Sequence, residues 1–242
     1  MNKSFIKTKN VKQLVSLMDE LSKLPNSIPK LALVYGEHGL GKSQAIQWWA
    51  DKNDCVYVRA NQGMTSRWLL TDIAEELGAE AFWHAQDTFA IIEETLKYKP
   101  KTIIIDEVDY LIDKHIIETL RDLHDRTGCP VVLVGMAHIK QKLSRFPHLC
   151  DRIYKSVKFE NFDVKDIAEI LSQLTDLNIT EDGINYLATR TNQFRQLVKL
   201  VNKIEKLSKT NQIDEFDEYT LKGILNERTN IATLQTNEKM FA

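Results

Sequence analysis

Eight consecutive residues, Gly36-Glu37-His38-Gly39-Leu40-Gly41-Lys42-Ser43, carry the first chemistry legible in this chain. They satisfy the pattern G-x-x-x-x-G-K-[ST], and each position has a physical task. Glycines let backbone N–H groups wrap a phosphate without interference from a Cβ. The N-terminus of a helix after the loop adds partial positive charge, Lys42 can reach β- and γ-phosphates, and the Ser43 hydroxyl can ligand Mg²⁺. The expected ligand is ATP with Mg²⁺, held by Gly36, Glu37, His38, Gly39, Leu40, Gly41, Lys42 and Ser43. A second group, Ile103-Ile104-Ile105-Asp106-Glu107, is an apolar run ending in two acids. At the carboxyl end of a parallel strand, Asp106 would join Ser43 around the metal, and Glu107 would polarise a water for attack on the γ-phosphate. Taken singly, a glycine-rich turn with an incidental lysine or two acids opening a loop would explain either pattern. Together, in a strand–loop–helix setting, they point to hydrolysis as well as binding.

Positioning these groups requires a particular order of elements. Val11, Leu14, Val15, Met18 and Leu21 recur at helical spacing, which predicts a helix from Asn10 to Leu24, ended by Pro25 and Pro29. Leu31 to Tyr35 reads as a strand, Ser43 to Ala50 as a helix, Cys55 to Arg59 as a strand, and Ser66 to Leu77 and Thr88 to Lys97 as helices. Thr102 to Asp106 and Val131 to Gly135 are β-branched runs suited to buried parallel strands, with a helix from Lys114 to Arg126 between them. Strands alternating with helices predict an α/β fold with a parallel sheet covered on both faces. Beyond Phe159 the pattern turns helical: Val164 to Leu174, Glu181 to Thr189, Phe194 to Leu207 and Asp217 to Glu227.

Composition excludes several classes. With 43% hydrophobic and 27% charged residues and only 9 Gly and 5 Pro in 242, the chain is neither disordered nor collagen-like. Its longest apolar runs, such as Val131 to Ala137, are far too short for a membrane span, and no signal-like stretch follows the start, so the expectation is no membrane partner and a cytoplasmic location. Cys55, Cys129 and Cys150 show neither Cys-x-x-Cys spacing nor matching histidines, so they are expected to be small buried hydrophobes. The 32 basic and 34 acidic residues nearly cancel, which leaves nucleic-acid binding to local stripes of charge.

The phosphate loop with Gly39 inside it and the Asp106-Glu107 pair resemble those of the AAA+ ATPases. That resemblance implies a P-loop NTPase domain with a five-stranded parallel sheet between helices (residues 1–160), a small all-α lid (161–230) and a C-terminal tail (231–242). Nucleotide in such proteins is bound between subunits. The segment from Lys142 to Arg152 resembles their arginine-finger region, with Arg152 matching best and Arg145 as a second candidate; the alternative is two solvated arginines. Asn192-Gln193-Phe194-Arg195-Gln196-Leu197 resembles the sensor-2 segment, where Arg195 would meet the γ-phosphate. On the same helix Arg195, Lys199, Lys203 and Lys206 lie opposite an apolar face, either as a phosphate-binding stripe or as a solvated surface. Where the family places a polar residue after the fourth strand, this chain reads Gly135-Met136-Ala137-His138, so His138 substitutes or hydrolysis is slow.

The opening Phe5 to Val11, Val34-Tyr35-Gly36-Glu37, Val56 to Ala60, Val134-Gly135-Met136 and Arg145 to Leu149 are together similar to the transposition ATPases of the phage Mu B and TnsC type, across about residues 5 to 200. This implies a protein that oligomerises with itself as helical filaments on double-stranded DNA in the cytosol of a bacterium or phage-infected host, marks a target site, recruits a transposase, and is released by hydrolysis. The chain would be nearer a minimal core, with no room for the extra N-terminal domain of Mu B. In this group the DNA-facing segment follows the second strand, so Gln62, Thr65 and Arg67 are candidate backbone contacts. An equal reading has Thr65 or Ser66 capping the next helix with Arg67 solvated. Alternatives are a replication initiator or helicase-loader ATPase, a non-hydrolysing DNA scaffold, a small-molecule kinase, and a helix–turn–helix from Thr180 to Lys206.

Overall fold

Leu31–Gly36 becomes the inner strand of a parallel sheet because both of its faces find helices to bury against. The computed structural model describes residues 5–112, 114–211 and 213–225. One compact unit, Lys9–Glu160, runs α1 (Lys9–Lys23), β1 (Leu31–Gly36), α2 (Lys42–Ala50), β2 (Cys55–Arg59), α3 (Ser66–Leu77), α4 (Ala85–Tyr98), β3 (Thr102–Asp106), α5 (Asp109–Ile112), α6 (Ile117–Thr127), β4 (Val131–Met136), α7 (Ile139–Leu143), α8 (Pro147–Cys150) and β5 (Ile153–Phe159). The sheet order is β2-β3-β4-β1-β5 with every neighbouring pair parallel. All carboxyl ends therefore share one edge. There β4 lies between β1 and β3, so the loop leaving β1 and the acids ending β3 flank the exit of β4.

Side-chain alternation sorts the core into two layers. Leu31, Leu33, Ile103, Ile105, Val131 and Leu133 pack with Leu69, Ile73, Ile92, Leu120 and Leu123 from α3, α4 and α6. Their neighbours Ala32, Val34, Ile104, Val132 and Val134 are equally buried. Helices α1 and α2 lie against the sheet with their own buried stripes, Leu14, Leu17, Met18 and Leu21 in α1 and Ala45 and Ile46 in α2. Such two-sided burial is why these strands read as continuous apolar runs.

The fifth strand, implied by the family resemblance, is one the residue pattern alone does not reveal. β5 is an edge strand whose Tyr154, Lys155 and Lys158 are exposed, a charged edge that discourages pairing with another chain. Glu20 of α1 accepts hydrogen bonds from Tyr154 Oη (2.6 Å) and Lys155 Nζ (2.5 Å). The buried Asn10 side chain exchanges two hydrogen bonds with the backbone of Glu160, fastening α1 to the end of β5. The helix expected from Lys114 opens later, at Ile117, because His115 adopts a left-handed φ of 59°.

A second compact unit comprises Asn161–Ala242 together with Met1–Thr8. Its described part contains α9 (Val164–Leu174), β6 (Asn178–Ile179), α10 (Glu181–Arg190), α11 (Phe194–Asn211), β7 (Glu215–Phe216) and α12 (Glu218–Leu225). The tail at 231–242 and the end of the helix expected to reach Glu227 lie outside the described residues. Helix α9 opens with a reciprocal capping box between Asp163 and Asp166. Apolar residues of all four helices converge with Phe216 and, from the chain's beginning, Ile6. Besides the helices this unit holds a short parallel ladder, β6 with β7. Gly183 lets α10 approach that ladder, since a Cβ there would lie 2.3 Å from the carbonyl oxygen of Phe216. No helix among the described residues is long and apolar enough to cross a membrane.

Candidate functional site

The loop between β1 and α2 closes around its own lysine. Lys42, only 8% exposed, donates from Nζ to the carbonyl oxygens of Gly36 and Glu37, both at 2.8 Å. Gly39 and Gly41 have φ of 78° and 88°, backbone that side-chain-bearing residues rarely adopt, and Gly41 caps α2 so that Ser43 falls in its first turn. Gly36 is required for another reason, since a Cβ there would lie 2.5 Å from the carbonyl oxygen of Phe159 on β5. Leu40 is buried and anchors the loop, whereas Glu37 and His38 are exposed.

Across the exit of β4, Asp106 is 2% exposed. Its Oδ2 accepts from the Tyr57 hydroxyl at 3.1 Å and its Oδ1 from the Glu107 N–H at 2.9 Å. Burial first, and then the negative charge of Asp106, push the Tyr57 phenol well above its ordinary range, so it remains a donor to that carboxylate. Glu107 has a left-handed φ of 55°, which turns its side chain back toward β2. There Arg59 Nη2 donates to Glu107 Oε1 at 2.6 Å. Arg59 stands opposite Asp106 in the β2–β3 register, and this pairing places its guanidinium within reach.

Two residues further on, Asp109 joins the exits of β3 and β4. Its Oδ2 accepts from the Met136 N–H at 2.8 Å, and His138 Nε2 lies 3.5 Å from its Oδ1. That approach explains the glycine before Met136, because a Cβ on Gly135 would lie 2.8 Å from Asp109 Oδ2.

The segment after β2 is a built turn. Asn61 Oδ1 accepts from the Gly63 N–H at 2.9 Å, and Met64 is fully buried beneath it. Lys114 Nζ bonds the carbonyl oxygens of Gln62 and Met64. Gln62, Thr65 and Arg67 are all exposed. The Thr65 hydroxyl caps α3, accepting from the Trp68 N–H at 3.2 Å, and the Arg67 guanidinium lies over the exposed Trp83 ring, 4.4 Å from its centroid.

The two candidate arginines differ sharply. Arg152 is held by a bidentate pair to Asp125 (2.6 and 2.7 Å) and a third bond to the carbonyl oxygen of His148 (2.5 Å). Arg145 is exposed, and among the described residues its guanidinium has no hydrogen-bond or ion-pair partner. Arg195 belongs to the second unit, exposed in the first turn of α11. Tyr57, Arg59, Asp109 and Lys114 were not anticipated from sequence. Their partners are set by strand register and by a turn, and no local motif encodes either.

Comparison with known proteins agrees with this geometry. Residues 27–143 match the family model of the AAA domain. A potential ATP-binding protein of Staphylococcus aureus is 26% identical over 233 residues, covering 78% of this chain and 81% of that protein. The Mu-like prophage FluMu DNA transposition protein B of Haemophilus influenzae is 26% identical over 198 residues, covering 78% of this chain and 67% of that one. Among solved structures, the Aeropyrum pernix ORC2 protein in ADPNP–ADP complexes aligns with a TM-score of 0.68 at 14% identity, over 97% of this chain and 73% of its own. The Thermotoga maritima RuvB Holliday junction branch migration motor aligns with a TM-score of 0.63 at 19% identity, over 92% and 70%. Residues 27–143 thus match an AAA domain, and the chain as a whole resembles the AAA+ ATPases of the Mu B and TnsC type.

Proposed function

We propose that this protein is an ATP-dependent DNA-binding ATPase that assembles with itself on double-stranded DNA and delivers a target site to a transposase. Support comes first from one arrangement: the Lys42 loop and the Asp106–Glu107 pair flank the exit of β4 on one sheet edge. The likeness to a transposition protein B directs the reading toward transposition.

In this reading the loop N–H groups and Lys42 take the phosphates. Lys42 Nζ already points at the carbonyl oxygens of Gly36 and Glu37 at the mouth of the loop, where the phosphates would lie. The donor set suits magnesium: Ser43 and Asp106 offer hard oxygens, and each Asp106 oxygen keeps a lone pair beyond its single hydrogen bond. Bound there, the ion would neutralise charge on the β- and γ-phosphates. Glu107 orients and deprotonates the attacking water once its carboxylate leaves Arg59. An arginine from a second copy stabilises the transferring phosphoryl group, with Arg145 exposed for that role and Arg152 available only by releasing Asp125. Gln62, Thr65 and Arg67 present small donors and a cation to the DNA backbone. Their contribution is weak per copy, and assembly multiplies it.

The test is binding to random-sequence duplex DNA, read by fluorescence anisotropy without nucleotide and with ADP, ATP or a non-hydrolysable analogue. Cooperative binding restricted to the triphosphate states is the expected result. Binding indifferent to nucleotide, or none, overturns the reading. Capture of a transposase by the assembled form would then separate it from the initiator and helicase-loader reading, which shares the fold.

A further inference from the structure

On the second unit, Arg190 at the end of α10, Gln196, Lys199, Leu200 and Lys203 on α11, and Leu225 at the end of α12 line a cleft of about 340 Å³. The α11 positions lie three, four and seven residues apart, so they share one face of the helix. Leu197, Val201 and Ile204 are buried in this unit's core. Helix α11 carries five basic residues (Arg195, Lys199, Lys203, Lys206 and Lys209) and a single acid, Glu205, in a chain whose net charge is −2. That is a concentrated field on a nearly neutral molecule, and the cleft focuses it, because cations of one sign over low-dielectric walls (here Leu200 and Leu225) raise the local potential.

The lining is chemically selective. Arg190 is oriented by its neighbour, with Nε and Nη2 both donating to the Tyr186 hydroxyl at 2.9 and 2.6 Å. Lys199 and Lys203 stand one helical turn apart on the same face of α11. Gln196 adds a neutral donor, and none of the described lining residues is an acid. Spaced cations with an amide donor match a polyanion of regularly repeated charge.

We propose that this cleft is a binding site for the phosphodiester backbone of duplex DNA, separate in sequence from the turn at Gln62–Arg67. The proposal rests on the reading that the protein binds DNA and adds a second set of contacts to it.

The test compares the full-length protein with a Lys199→Gln/Lys203→Gln double variant, both loaded with a non-hydrolysable ATP analogue, on random duplex DNA across a salt series. Loss of two phosphate contacts predicts that the slope of log K against log salt falls by roughly 1.8 per bound protomer. The affinity deficit should accordingly be roughly tenfold larger at about 50 mM salt than at about 200 mM. Lys206→Gln removes a charge from the same helix outside the cleft and should leave the slope near wild type. Lys199→Arg/Lys203→Arg should restore it, which controls for folding. A double variant with wild-type slope, or a Lys206→Gln loss as large per charge, overturns the cleft while leaving DNA binding itself intact. Absence of wild-type binding in every nucleotide state overturns the broader reading together with this one.

Discussion

Glu107 is where chemistry and backbone meet most directly. Its left-handed φ is one that a residue bearing a side chain adopts at some cost, and such conformations persist where the surroundings enforce them. Here the enforcement comes from the Val108 N–H bonded to the Val134 carbonyl at 3.0 Å on one side and the Arg59 pair on the other. Glu107→Gln keeps the shape and an oxygen for Arg59 but removes the base. Turnover should fall by about 10² to 10⁴ while ATP binding persists and DNA-bound assemblies accumulate, measured by phosphate release and pelleting with DNA. Unchanged turnover would remove Glu107 from the role. Lys42, Ser43, Asp106 and Glu107 were legible in the sequence because a phosphate loop and an acid-ended strand are local patterns. Tyr57 and Arg59 were not, since their value lies in standing beside β3, a fact of strand pairing with no local signature.

Elements divide in the same way. Strands β1, β3 and β4 announced themselves because two-sided burial demands unbroken apolar runs, whereas β5 is exposed on its lysine-bearing edge and reads as polar chain. Ile6 joins the core of the helical unit from more than 150 residues away in sequence, a contact that periodicity cannot report. His124 also acts between elements. From α6, its Nδ1 lies 2.7 Å from the Cys129 carbonyl oxygen ahead of β4, and its Nε2 faces the Lys30 N–H ahead of β1 at 3.4 Å. That network suits one neutral tautomer, with Nδ1–H donating and Nε2 accepting. Burial, partly offset by the bond to Cys129, holds the imidazole below its ordinary value of 6.5. Below that value the unfolded chain takes up a proton that the folded one resists, so this contribution to stability is complete above it and is lost as pH falls through the folded-state value. Thermal melts should lose stability as pH is lowered from about 7.5 to 5.5, and His124→Gln should flatten that segment of the profile. A slope identical in the variant would assign it to other groups.

For the molecule as a whole, the two arginines decide how copies cooperate. In the proposed reading, the nucleotide site on one sheet edge would supply a lysine, a metal-binding oxygen pair and a base, and the cation for the transferring phosphoryl group would come from a second copy. Each chain then carries an acceptor half around Lys42 and a donor half around Arg145, and inactivating one half leaves the other usable. Arg145→Ala and Lys42→Ala should each be inactive alone. Mixed in equal amounts, they should regain activity, because about a quarter of randomly formed head-to-tail interfaces combine an intact Lys42 with an intact Arg145. Arg152→Ala distinguishes a brace from a finger. As a brace between Asp125 and the His148 carbonyl, its loss should lower the melting temperature as Asp125→Ala does, and mixing should not rescue it. A rescue as large as that of Arg145→Ala, without loss of stability, would transfer the role to Arg152 and make release of Asp125 a step in assembly. Failure of both mixtures would confine catalysis to a single copy and remove the reason for ATP to control assembly.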